Sequence, residues 1–139
     1  MNLNKFLEVA REAALMAGVV LKERFRKLCP SMIDEKAKND FVTEADKKSE
    51  EIIKSHIRSQ FNNHDILAEE SSAVRNASPF LWIIDPLDGT LNYIHGLPCF
   101  AVSIALEIEG ELAVGLIYEP LWENIYSAIK GQGAFKNGK

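Results

Sequence analysis

Cysteine is scarce in this chain, and its placement excludes several chemistries. Cys29 and Cys99 are the only two in 139 residues. They form no CxxC pair and no zinc-ligand spacing, so neither a disulfide framework nor a structural zinc site is indicated. In a reducing compartment both would be free thiols, and Cys99, inside the apolar run CFAVSIALEIE, is expected in the core. Long apolar runs are also absent: no segment reaches the roughly 18 residues needed to span a bilayer. The N-terminus MNLNKFLEVAREAA interrupts its apolar positions with Glu8, Arg11 and Glu12, which is no signal-peptide pattern. The expected location is therefore the cytoplasm, with no membrane contact. Positive charge is not in excess, with 16 Lys and Arg against 20 Asp and Glu and a net charge of −4. That argues against direct binding of nucleic acid or an anionic membrane. The short basic runs at Lys22 to Lys27 and Lys36 to Lys38 read as solvated faces. No GxxxxGK[ST], GxSxG or HxxxxxR occurs, so a P-loop, a serine-nucleophile elbow and a cysteine-phosphatase loop are all excluded.

What is present is enough apolar material for one core. Hydrophobic residues make up 47% of the chain, sufficient at this length to bury a sizeable interior in a single unit. Leu3, Phe6, Leu7, Ala10, Ala14, Leu15, Ala17, Leu21 and Phe25 recur at three and four, which predicts a long amphipathic helix over 3–27. Thr43 followed three residues later by Asp46 is a capping signal. The run from Asp46 to Phe61, with Ile52, Ile53, Ile57 and Phe61 on one stripe, predicts a second helix. His56 beside that stripe reads as a partly buried structural residue. The rhythm then changes to short extended runs at 65–69, 80–84, 99–109, 112–118 and 124–129. Turn chemistry separates them at Asn76, Ser78 and Pro79, at Gly110-Glu111, and at Gly131 and Gly133. Two helices followed by hairpin-connected strands predict an α+β fold, with the helices packed on one face of a largely antiparallel sheet.

The chemistry concentrates in one stretch, WIIDPLDGTLN, residues 82–92. Asp85 ends an apolar run just before a proline that biases it to an extended conformation. Asp88 precedes Gly89 and Thr90, where a short helix through Tyr93 is expected. The two acids can point into one space from either side of the turn, and Gly89 lets a ligand approach the backbone closely. The amides of Gly89 and Thr90 would suit a phosphate oxygen. Carboxylate oxygens are hard ligands suited to Mg²⁺, and two ions roughly 3.5–4 Å apart can drive phosphoryl chemistry. If strands 65–69 and 80–85 pair, Glu69 ends level with Asp85 and adds a third acid. Against this stands a plainer reading: a turn with an N-cap at Asp88, and Glu69 and Glu70 decorating a loop. Spacing alone does not separate the two. A phosphatase with no cysteine or histidine nucleophile needs a metal-activated water oriented by a hydroxyl and a carboxylate. Thr90 supplies the hydroxyl, and Asp46, at the start of the second helix, could orient it.

DPLDGTLNYIHGLP resembles the DP[IL]DGTxNF signature of the inositol monophosphatase family. AEES is similar to that family's GEES element, NDFVTEAD to its DLVTxAD element, and GQGAF to a GxGAF segment. The four occur in family order across nearly all 139 residues. The resemblance implies a layered α/β sugar-phosphatase-like fold and Mg²⁺-dependent hydrolysis of a phosphate monoester, with an inositol monophosphate as substrate. It implies that Glu69, Asp85 and the Leu87 carbonyl hold one Mg²⁺, with Glu69 also serving a weaker ion through water. Asp85 and Asp88 would contribute to another. Thr90 and Asp46 would activate the water, while Asp88, Gly89 and Thr90 would meet the substrate. Lys36 falls in a loop that reaches toward the site. His95 could line its rim, though a surface loop histidine is the plainer reading. TLNY after the glycine favours this branch over relatives acting on nucleotide bisphosphates. Fructose-1,6-bisphosphatase activity is the alternative within the family. A non-catalytic protein-binding role linked to transcription is the alternative outside catalysis, because bacterial members associate with the transcription machinery. A homodimer is the family's usual assembly.

The sequence departs from the family in one respect. Members run to roughly twice a domain of this size and carry a further aspartate in a WDxxAG-like element. Nothing after Asp88 matches it, and no later aspartate occurs. The chain therefore corresponds to the N-terminal half of such a catalytic domain. It is expected to be a fragment, the product of a split gene, or a short protein that binds metal and phosphate with weak turnover.

Overall fold

The computed structural model describes residues 1–74 and 76–139. Its first helix, α1 (Leu3–Arg24), buries Phe6, Val9, Ala10, Ala13, Ala14, Ala17, Gly18 and Leu21 along one stripe. The small residues bring the helix close to the sheet: a Cβ on Gly18 would lie 2.4 Å from the Tyr118 ring. Helix α2 (Glu44–Gln60) opens with a capping box. The Thr43 hydroxyl accepts from the Ala45 and Asp46 amides at 3.1 and 3.2 Å, while Asp46 Oδ2 accepts the Thr43 amide at 2.9 Å. That reciprocal cap starts the helix two residues before the expected Asp46. The polar stretch before it is a hairpin, β1 (Ile33–Ala37) with β2 (Asp40–Thr43).

The remaining strands are β3 (Asp65–Ala68), β4 (Ser71–Val74), β5 (Phe80–Asp88), β6 (Ala101–Ile108), β7 (Glu111–Glu119), β8 (Asn124–Ile129) and β9 (Gly133–Lys136), with a five-residue helix, α3 (Thr90–Ile94), between β5 and β6. Among the described residues these seven strands form one sheet in the order β4-β3-β5-β6-β7-β8-β9. Every neighbouring pair is antiparallel except β3 and β5, which run parallel. The α+β expectation of helices on a largely antiparallel sheet holds, with that parallel pair as an addition.

Alternation along the central strands builds the core. Trp82 and Ile84, Val102, Ile104 and Leu106, and Val114, Leu116 and Tyr118 are buried and join α1 and α2 in one cluster. Residues between them, such as Ser103, Ala105, Gly115 and Ile117, line an open groove of about 430 Å³ with Tyr126 and Phe135. His64 sits among the core aromatics, stacked between Phe61 and Phe80 at 4.6 and 4.3 Å and accepting the Trp82 indole N–H at 3.0 Å.

Three expectations need correcting. Cys99 is exposed, as is Cys29, because β6 begins only at Ala101 and Cys99 lies in the loop before it. The β6–β7 turn is Glu109-Gly110, since Glu111 already pairs with Ile108. The segment from Gly133, read as turn punctuation, is the edge strand β9. Among the described residues, no helix is long and apolar enough to cross a membrane.

Replacing Gly18 with valine tests the close packing of α1. Overpacking against the buried Tyr118 ring should cost about 1–3 kcal/mol in urea denaturation. An unchanged midpoint would show that the ring moves aside freely.

Candidate active site

The parallel pairing of β3 and β5 creates the site. Two parallel strands finish at the same edge, so residues just past their ends emerge side by side. The register pairs Ala68 with Ile84, which puts Glu69 level with Asp85, and the Glu69 amide donates to the Ile84 carbonyl at 3.1 Å. Pro86 then has no N–H to continue the ladder, and the β5–β6 register shifts between Asp85 and Asp88. Asp85 Oδ1 accepts the Leu87 amide at 3.3 Å across the turn. The Asp85 side chain is thus held in place while remaining half-buried.

Gly89 is the N-cap of α3 with φ 84 and ψ 37. A Cβ there would meet the Cys99 carbonyl at 2.8 Å, so sterics and backbone conformation both require glycine. Asp88 does not cap the helix, contrary to the plainer reading of the sequence. It is exposed, as is Glu69.

Thr90 and Asp46, 44 residues apart, do meet. The Thr90 hydroxyl lies 2.9 Å from Asp46 Oδ1 and 3.1 Å from the Leu87 carbonyl, and it can donate its one proton to either. Asp46 is fully buried. Its Oδ2 accepts the Thr43 amide at 2.9 Å and the Thr43 hydroxyl at 2.6 Å. Burial pushes the Asp46 carboxyl up, against the opposing pull of the Thr43 and Thr90 hydrogen bonds. The capping residue of α2 is therefore also the partner of the site hydroxyl.

The electrostatics are those of acids crowded together. Asp85 is pushed from its ordinary 3.8 up to about 7, first by burial, then by the adjoining Glu69 carboxylate and the charge of Asp88. Two carboxylates in one partly buried space need a shared proton or a cation. Lys36 is engaged mainly by other carboxylates, with a weaker, longer-range attraction to Glu69. Its Nζ sits 2.9 and 3.2 Å from the Glu70 carboxylate and 3.7 Å from Asp40. His95 caps the end of α3 and is exposed, outside this constellation.

The donors available at the turn are Glu69, Asp85, the Leu87 carbonyl and, farther out, Asp88. All are oxygens, the set a hard cation such as Mg²⁺ takes, and the unneutralised Glu69–Asp85 pair fits one. The set is partial, because among the described residues no three His, Cys, Asp or Glu side chains converge as a metal cage. Sequence reasoning missed Ser49 and Glu50. Their signal was the spacing from Asp46, three and four residues on, which puts them on the same face of α2.

Residues 2–139 match the inositol monophosphatase family. The chain is 49% identical over 138 residues to the fructose-1,6-bisphosphatase/inositol-1-monophosphatase of Aquifex aeolicus (strain VF5), covering 99% of this chain and 52% of that protein. It is 41% identical over 133 residues to the Nus factor SuhB of Pasteurella multocida (strain Pm70), covering 95% and 50%. The solved inositol monophosphatase of Anabaena (Nostoc) sp. PCC 7120 superposes with a TM-score of 0.83 at 43% identity, over 99% of this chain and 48% of that one. The chain thus spans about half the length of the relatives it matches.

The raised Asp85 sets a pH dependence. Folded, Asp85 keeps its proton up to about pH 7, whereas the unfolded chain releases it near its ordinary 3.8. Between those values the folded state binds more protons, so stability falls as pH rises. Asp46 and Glu70, both raised chiefly by burial, act in the same sense, while His64, lowered by burial, acts oppositely below its ordinary 6.5. In metal-free buffer, Asp85→Asn should flatten the fall in melting temperature between about pH 4 and 7. Identical slopes in the two proteins would contradict the pairing of Glu69 with Asp85.

Proposed function

The chain belongs to the inositol monophosphatase family, and from that premise we propose that it carries a Mg²⁺-dependent phosphomonoesterase site whose substrate is an inositol monophosphate. The observation that carries the reading is the 2.9 Å contact between the Thr90 hydroxyl and Asp46, set beside the Glu69–Asp85 pair. Glu69, Asp85 and the Leu87 carbonyl would hold one Mg²⁺, and Asp85 with Asp88 would contribute to a second. Bound there, Mg²⁺ supplies positive charge that polarises the phosphate and the attacking water.

The chain's own groups do the rest. Thr90 Oγ donates its proton toward Asp46 Oδ1, which leaves its lone pairs to accept a hydrogen bond from the attacking water. As the water oxygen bonds to phosphorus, its proton passes to Thr90 Oγ and the threonine proton to Asp46 Oδ1. Burial of Asp46 raises its affinity for that proton, while Thr43 keeps Oδ2 occupied and Oδ1 aimed at Thr90. The phosphorus–oxygen bond to the alcohol breaks, the leaving alkoxide takes a proton from solvent water, and Asp46 Oδ1 gives its proton back to solvent, so the products are inorganic phosphate and the free alcohol. The amides of Gly89 and Thr90 would hold phosphate oxygens. Asp88, exposed on the rim, meets the substrate.

Likeness to the dual-named Aquifex aeolicus enzyme makes fructose 1,6-bisphosphate the first alternative substrate. Likeness to the Nus factor SuhB favours a second reading, a regulatory protein-binding role linked to transcription. The family resemblance further implies a cytoplasmic homodimer. Phosphate release from an inositol monophosphate, with and without Mg²⁺, separates catalysis from regulation. The enzymatic reading expects Mg²⁺-dependent release that disappears in Asp88→Asn and drops roughly 10²–10⁴-fold in Thr90→Ala. Release that ignores Mg²⁺, or no release from the wild-type chain, would count against it.

A further inference from the structure

The acids of the site sit on two chain segments leaving the sheet, and each segment exposes one backbone group that the sheet no longer satisfies. Past β3 that group is the Glu70 amide, and past Asp85 it is the Pro86 carbonyl. Both are met by neighbouring side chains of α2. Ser49 Oγ donates to the Pro86 carbonyl at 2.7 Å, and Glu50 Oε2 accepts the Glu70 amide at 3.2 Å. Ser49 is fully buried and Glu50 is 6% exposed, so water is a poor substitute at either contact. Each anchor falls on the residue immediately after an acid: Glu70 follows Glu69, and Pro86 follows Asp85.

Asp46, Ser49 and Glu50 occupy positions i, i+3 and i+4 of α2 and share one face. One helical turn thus grips Thr90, the Asp85 turn and the Glu69 turn together. Lys54, one turn on, completes the grip. Its Nζ lies 3.3 Å from Glu50 Oε1 and 3.1 Å from the Ser71 hydroxyl, balancing the Glu50 charge and tying down the residue after Glu70. The acid segments also meet directly, at the Glu69 and Asp85 carboxyls and through the Glu69 amide on the Ile84 carbonyl. The backbone bond fixes strand register and leaves the angle of the two turns to the helix.

We propose that Ser49 and Glu50 are positioning residues that set the separation of Glu69 and Asp85, and with it the affinity for the divalent cation. Both side chains are bonded to backbone groups and are not among the residues that would hold the ion or the substrate. The inference rests on the metal-binding reading of the site and adds to it the element that holds the ligands in place.

Calorimetric titration of Mg²⁺ into the 139-residue chain tests it, well below the melting temperature of every variant. Ser49→Ala and Glu50→Ala should each weaken binding roughly 10–100-fold, as loss of a group that orients a ligand does. Glu50→Gln keeps an acceptor for the Glu70 amide and Ser49→Thr keeps a donor for Pro86, so both should recover most of the affinity. A merely structural role would lower the melting temperature and leave the affinity alone. Unchanged affinity in both alanine variants, beside its loss in Asp85→Asn, overturns the positioning role alone. Absence of binding by the wild-type chain overturns the metal reading and the positioning role with it.

Discussion

Two parallel strand ends force two carboxylates into one small space, and much of the local structure follows from that constraint. An antiparallel pair would send the two acids to opposite edges of the sheet. The β3–β5 register instead sets Glu69 against Asp85, and burial together with that neighbour raises the Asp85 carboxyl to about 7. Such a pair opposes folding when both groups are charged. It is retained here beside backbone groups that are hydrogen-bonded: the Glu69, Glu70 and Leu87 amides and the Pro86 carbonyl.

Helix α2 is the counterweight. Its first two turns hold Thr90 through Asp46, the Pro86 carbonyl through Ser49 and the Glu70 amide through Glu50. Among the described residues, no buried side-chain polar atom is left without a partner. The helix is fixed at its start by the Thr43–Asp46 capping box and on its apolar side by Ile53 and Ile57 in the shared core. Stability and chemistry thus draw on the same residue: Asp46 caps a helix with one oxygen and faces the site hydroxyl with the other.

The sequence made much of this legible because its signals were local. Apolar spacing located α1 and α2, the threonine–aspartate spacing located the cap, and DPLDGT located the turn. The level placement of Glu69 and Asp85 followed once the two strands were supposed to pair. What stayed hidden depended on tertiary partners. The strands β1 and β2 mix polar and apolar residues without apolar alternation; β1 is exposed beyond Ile33, and β2 buries only Val42 and Thr43. The edge strand β9 is exposed throughout and reads as turn residues. Cys99 looked buried because its neighbours are apolar, yet it precedes the strand that buries them. Ser49 and Glu50 could be recognised only after Pro86 and Glu70 had been placed against α2.

On the proposed function, a divalent cation seats between Glu69 and Asp85. Mn²⁺, which shares the oxygen preference of Mg²⁺, broadens the NMR signals of nearby amides. A titration of the isotopically labelled chain reads the ion's location directly. The account predicts that the amides of Glu69, Glu70, Leu87, Asp88 and Thr90 broaden first, while those of β8 and β9 stay sharp. Broadening spread evenly over the chain, or centred away from these turns, would contradict it.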